Sequence, residues 1–139
     1  MDNEELYHFL LKWDGFTFNT SEWDFYKAGK GFAVSLVEYE MRIHKNLMNF
    51  NLFQTIYGTY AFTINLLPTS NLYFGAYKDG DYYVFDITEI EPDKYTALYK
   101  GFKRNQKSIF NFYAGEYIVL KSVNKEHVYK IMKEEGYNI

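Results

Sequence analysis

The sequence predicts an α+β domain: an antiparallel sheet built from two hairpins, with N-terminal, central and C-terminal helices packed on it. Three observations point there. Asp79-Gly80 is a favoured tight-turn pair between two runs rich in β-formers, within Leu72–Thr88. In Asn51–Leu67, the residues Leu52, Phe53, Ile56, Tyr57, Tyr60, Ala61, Ile64 and Leu67 recur at three- and four-residue steps, the period of an amphipathic helix. The other helical stretches are short and segregated from the strands, unlike the alternation of a parallel sheet.

In chain order, Glu4–Trp13 reads as a helix with Leu6, Phe9, Leu10 and Trp13 inward and Glu4, His8 and Lys12 outward. Asp14-Gly15 ends it, and Phe16-Thr17-Phe18 alternates like a strand. Thr20–Lys30 has no clean period and reads as a loop. Phe32, Val34 and Leu36 share one strand face, and from Val37 the apolar parity flips to Val37, Tyr39, Met41 and Ile43. A single buried face along this stretch would need a bulge near Leu36-Val37. Pro68 closes the central helix, and Gly58 lies off its apolar stripe.

With Asp79-Gly80 as a two-residue loop, Lys78 faces Asp81, Tyr77 faces Tyr82 and Phe74 faces Phe85. Leu72, Phe74, Ala76, Tyr83, Phe85 and Ile87 then form the core face. Tyr73, Gly75, Tyr77, Tyr82, Val84 and Asp86 form a half-polar face, the candidate contact surface. Glu91-Pro92-Asp93 opens a helix to about Arg104 with Tyr95, Leu98 and Phe102 inward. Lys107–Phe112 and Tyr117–Leu120 read as a second hairpin around Ala114-Gly115. Asn124 caps a last helix, which turns Val128, Ile131 and Met132 inward and stops at Gly136.

At 139 residues the chain fits one domain, 1-139. Phe, Tyr and Trp make up 22% of it, 15 of them Tyr, more ring area than a core of this size can hide. Cysteine is absent, which excludes disulfides, thiolate chemistry and Cys-ligated metal. Net charge is −3 with a pI near 5.6, which disfavours a general affinity for nucleic acid or anionic membrane. No apolar run reaches the length of a transmembrane helix, and the acidic start Met1–Glu5 lacks a secretory pattern, so a cytoplasmic protein without a membrane partner is expected.

His8, His44 and His127 are scattered without a ligand partner at helical or hairpin spacing, and no metalloprotease, phosphate-loop, dinucleotide or serine-elbow pattern occurs. No catalytic residue, metal or cofactor is therefore expected. The run from Asp79 to Asp93 holds six acids (Asp79, Asp81, Asp86, Glu89, Glu91 and Asp93) and no base. Two readings stay open: a solvated turn and helix entrance, or an acidic, Tyr-rich patch for a basic partner. Asp86 on the less buried face could instead cap backbone donors near Thr88, with Gln106 bridging a helix end to a strand. Lys100, Lys103, Arg104 and Lys107 repeat at helical steps and would form a basic stripe if the helix reaches them, either a solvated face or a phosphate contact.

Tyr73-Phe74-Gly75-Ala76-Tyr77-Lys78-Asp79-Gly80, Tyr83, Asp86-Ile87-Thr88, Ala97-Leu98, Gly101, Asn105-Gln106 and Ile109-Phe110 together resemble small proteins of phages and other mobile elements. The chain is also similar in size and character to immunity proteins that neutralise bacterial toxins. These resemblances imply a phage anti-defence factor, such as an anti-CRISPR protein, or a toxin-immunity protein.

The sequence reading is thus a non-catalytic inhibitor or accessory factor that occludes a basic surface of a nuclease, toxin or defence effector. Tyr73, Tyr77 and Tyr82 would supply aromatic anchors, and Asp79, Asp81, Glu89 and Glu91 the charge. The alternatives are nucleic-acid contact through Lys100, Lys103, Arg104 and Lys107, or an enzyme of unfamiliar type.

Overall fold

The computed structural model describes residues 1–137 and is α+β, about 39% helix and 34% strand. The helices are α1 (Asn3–Lys12), α2 (Phe50–Leu66), α3 (Lys94–Lys103) and α4 (Lys125–Glu134). The strands are β1 (Gly15–Asn19), β2 (Asp24–Phe25), β3 (Phe32–His44), β4 (Leu72–Asp79), β5 (Tyr82–Glu91), β6 (Ser108–Asn111) and β7 (Glu116–Val119). The sheet order is β2-β1-β4-β5-β3-β6-β7. The chain groups into two compact units: Met1–Lys27 with Glu38–Thr88, and Ala28–Val37 with Glu89–Ile139.

In the first unit, α2 starts where the Asn49 side chain accepts from the Leu52 N–H at 2.9 Å. It buries Phe53, Ile56, Tyr57, Tyr60 and Ile64, one stripe at helical spacing. Phe53, Tyr57 and Tyr60 meet Phe74 of β4, and Phe74 stacks on Phe85 of β5 with centroids 5.8 Å apart. β1 pairs antiparallel with β4, Phe18 opposite Phe74. The stretch expected to be loop contains β2, which pairs Phe25 with Phe18 and brings Phe25 to 4.4 Å from Phe9 of α1. Trp13, expected inward, caps α1 in extended conformation and is 52% exposed. The helix ends one residue too early to turn it under. β3 runs unbroken over Phe32–His44, and its parity flip shows as exposure of Val37 and Met41.

The β4–β5 connection is Gly80-Asp81 rather than Asp79-Gly80. Gly80 takes φ +58°, so glycine occupies the first loop position, as a left-handed turn entry favours. Moving the loop by one residue shifts facing partners by two, so the two face sets survive. Their burial does not follow the expected division. β5 is interior to the sheet and buried continuously from Val84 to Thr88, and Gly75 is buried opposite. The half-polar face is therefore largely covered.

At its centre lies Asp86, 4% exposed. The Thr88 hydroxyl donates to Asp86 Oδ1 at 2.7 Å. A Cβ on Gly75 would sit 2.1 Å from that same oxygen and 2.7 Å from Thr88 Oγ1. The acid expected as a cap on the less buried face is an interior group seated in the gap that glycine leaves.

In the second unit, Phe32, Val34, Ala97, Leu98, Ile109, Leu120, Val128 and Met132 form one core. β6 pairs with β7, Ile109 opposite Ile118, which is the second hairpin expected from the sequence. Asp93 caps α3, accepting from the Thr96 N–H at 2.8 Å, and Asn124 caps α4, accepting from the His127 N–H at 3.1 Å. Asn105 ends α3 with φ +54°. Its N–H bonds to Phe102 O and the Gln106 N–H to Gly101 O, the double closure of a Schellman ending. Ile131, expected inward, is half-buried.

Gly75→Ala should destabilise the protein by about 2–3 kcal/mol, because neither Asp86 nor Thr88 can retreat in a packed interior. Urea denaturation of the variant against the parent checks this.

Candidate functional site

The residues singled out from sequence separate into three environments. Tyr73 and Tyr77 are half-buried. Tyr73 packs edge-on against Tyr26 at 5.3 Å, and burial, then the charge of Glu22, raises its hydroxyl pKa. Burial, then the charges of Glu40 and Asp86, pushes Tyr77 up to about 12. Both rings are built into the first unit.

Tyr82, Asp79 and Asp81 stand at the hairpin tip. Tyr82 is 42% exposed, with the His44 ring edge-on at 5.2 Å and the Arg42 guanidinium 5.4 Å above its face. Arg42 donates to Asp79 at 2.7 Å, and this bond holds the guanidinium above its ordinary range. Lys45 Nζ lies 3.1 Å from Asp81, and the Lys45 N–H bonds to the Asp81 carbonyl at 2.7 Å. The tip acids are thus joined to cations of the same unit. These pairs are exposed and screened by water, so a partner's base could replace either cation at little cost.

Glu89 and Glu91 are not part of that surface. The Glu89 side chain is 13% exposed and accepts from Lys100 at 2.9 Å and Arg104 at 2.8 Å, while Glu91 accepts from Lys100 at 2.8 Å. Burial alone would push the Glu89 carboxyl up, but these hydrogen bonds outweigh it and hold the group below its ordinary value. Burial would lower Lys100, but the bonds to Glu91 and Glu89 hold it above its ordinary value. Glu89 and Glu91 of the acidic run and Lys100 and Arg104 of the basic stripe thus form one network in the second unit. The stripe also breaks geometrically: α3 stops at Lys103, Asn105 turns the chain, and Lys107 lies beyond the helix. Lys103 remains exposed, its Nζ 5.9 Å over the Tyr99 ring.

Sequence reasoning missed two features. On α4, Lys125, Tyr129 and Lys133 repeat at four-residue steps beside Lys130 and Glu126, lining a groove of about 420 Å³. Lys125 lies over both Phe102 and Tyr129, and Tyr99 contacts Tyr129 and Tyr137 at 5.3 and 5.8 Å. The second feature is a run from Asn46 to Tyr77 without one charged residue, which contains all of α2. Phe62 and Leu66 on its outer side are 65% and 68% exposed.

Among the described residues, no three His, Asp or Glu side chains converge as a metal site would need, and no helix is long and apolar enough to cross a membrane. No family model, curated protein or solved structure matches the chain.

Glu89→Gln should lower stability at pH 7 by about 2 kcal/mol, the worth of charged hydrogen bonds at a mostly buried group. Because folding depresses the Glu89 pKa, its stabilisation is full above the ordinary value of 4.5 and fades as pH falls through the folded value. Denaturation curves at pH 7 and pH 3 should therefore show the parent losing more stability on acidification than the variant.

Proposed function

We propose that the protein is a non-catalytic inhibitor or accessory factor that binds a protein with a basic surface, through the first unit. The observation that carries this reading is the distribution of charge. The first unit has eleven acids against five bases, the second ten bases against seven acids. A net charge of −3 for the whole chain conceals a strongly acidic part. Such a part attracts and orients a cationic partner.

The contact surface is narrower than the sequence suggested. Tyr82 is the anchor, Asp79 and Asp81 exchange their internal cations for those of the partner, and the exposed Glu38 and Glu40 of β3 add charge. Tyr77 supports the surface from beneath, and Glu89 and Glu91 take no part. In a phage or mobile-element setting the partner would be a nuclease, toxin or defence effector, occluded on the basic surface it uses for nucleic acid.

The groove on α4 favours a second reading, nucleic-acid contact by the second unit. Lys103, Lys125, Lys130 and Lys133 form no ion pair among the described residues; Lys103 lies over the Tyr99 ring, Lys125 over Phe102 and Tyr129, and Lys130 and Lys133 line the groove beside Tyr129. Lysines among aromatic rings suit a single strand. Such binding would weaken steeply with salt.

Pull-down from a source-cell lysate, with and without nuclease, separates the readings. A stoichiometric protein should be retained by the parent and by Lys125→Glu/Lys133→Glu, and lost, by tenfold or more in affinity, with Tyr82→Ala/Asp81→Lys. Retention of that protein by the Tyr82 variant would reject the tip as the contact surface. Nucleic acid lost only with the α4 variant would establish the second reading.

A further inference from the structure

The hairpin tip carries a histidine cap where the α-helices use Asp or Asn. α1, α2, α3 and α4 are capped by Asp2, Asn49, Asp93 and Asn124, whose side-chain oxygens accept a backbone N–H of the first turn. After β3, the single 3₁₀ turn Lys45–Leu47 is capped by His44, whose Nδ1 accepts from the Asn46 N–H at 3.1 Å. An Asn oxygen accepts at any pH. An imidazole nitrogen accepts only while the ring is neutral, because both nitrogens of the charged ring are donors. Histidine is also the side chain whose charge ordinarily changes between about pH 5 and 8.

Little else holds this turn. The Met48 N–H closes it on the Lys45 carbonyl at 3.3 Å, a long bond. Lys45, Asn46 and Leu47 are all exposed, so burial does little to fix it. Lys45 fastens it to the hairpin: its N–H bonds to the Asp81 carbonyl at 2.7 Å, and its Nζ lies 3.1 Å from the Asp81 carboxylate. The His44 ring is half-buried, edge-on to Tyr82 with centroids 5.2 Å apart. A charge arriving on that ring enters a crowded place. Arg42 and Glu40 share its side of β3 by alternation, Asp79, Asp81 and Tyr82 come from the hairpin, and Lys45 follows in the turn. Both tip acids already hold a cation, Asp79 with Arg42 and Asp81 with Lys45, and Arg42 also covers the Tyr82 face.

We propose that His44 is a pH-operated latch on the hairpin tip. With the ring neutral, Nδ1 caps the turn and Lys45 stays on Asp81. A proton taken from water turns Nδ1 from acceptor to donor, so it meets the Asn46 N–H donor to donor and the turn lets go of Asp81. The charges of Asp79, Asp81, Arg42 and Lys45 cancel while the ring is neutral, and protonation leaves the group with one positive charge. The latch is a property of the tip alone. Its consequence, release of a basic partner on acidification, rests on the contact surface proposed above.

The test is NMR of the full chain with no partner present, so failure of the latch is distinct from failure of that surface. A hydrogen-bonded amide changes its proton shift little with temperature, and a free one changes it steeply. In the parent, the Asn46 and Lys45 amides should be bonded at pH 8 and free at pH 5.5, switching together with the His44 ring signal. His44→Asn should keep both bonds at both pH values, because its side chain caps without titrating. His44→Ala should leave both amides free at pH 8, with unchanged circular dichroism. Parent amides that keep one state at both pH values, a loss at pH 5.5 that His44→Asn shares, or a Lys45 bond that survives in His44→Ala would overturn the proposal.

Discussion

Much of the first unit is arranged around a carboxylate in the middle of a strand. Asp86 is buried, and a buried charge is tolerated only where hydrogen bonds replace its water. Thr88, two residues on along the same strand face, supplies one such bond. The space comes from Gly75, whose missing side chain leaves the volume the carboxylate fills. The surroundings are then constrained in turn. The Tyr60 hydroxyl shares its one proton between the carbonyls of Tyr39 and Phe85, and burial, with the charges of Asp86 and Glu40, raises its pKa well above the ordinary value. Gly75, Asp86 and Thr88 are one packing device, which gives the Gly-Ala hairpin and its Asp-Ile-Thr ending a structural meaning.

The helices were the readable part of the sequence, because each carries its own start and stop signals. Asp93 and Asn124 cap the helices expected of them, and the three- and four-residue steps of α2 match its buried side. A helix cap depends on a side chain and backbone groups three residues apart, so it is visible locally. The loop of the β4–β5 hairpin was less legible. Asp79-Gly80 and Gly80-Asp81 are both plausible turn pairs, and the choice rests on which residue can take a positive φ in the first position. Gly80 fills that position with Asp81 second.

The contact surface was hard to read for a different reason. Periodicity assigns residues to faces but says nothing about what covers a face. Glu89 and Glu91 looked like part of a base-free acidic run, and Lys100 and Arg104 like part of an acid-free basic stripe. The ten-residue α3 brings the two sets together, and each neutralises the other. Part of each apparent surface is spent on one shared network. Tyr73 and Tyr77 show the same limit: both are half-buried, on a strand face whose Asp86 is buried.

Charge, once distributed over the fold, becomes more informative than its total. The balance of −3 is the sum of an acidic unit and a mildly basic one, so a single net value describes neither. Within the acidic unit, the segment from Asn46 to Tyr77 contributes nothing to that charge. An uncharged helix in an acidic unit is cheap to desolvate, because no ion must lose its water when a partner covers it. Acidic faces behave in the opposite way: their charge is felt out to about a Debye length, and each ion must shed its water before it is covered. A charged hairpin tip and an uncharged α2 thus differ in how far their fields reach and in what it costs to dry them, and the sequence separates the two by keeping its ionisable residues out of one continuous stretch of chain.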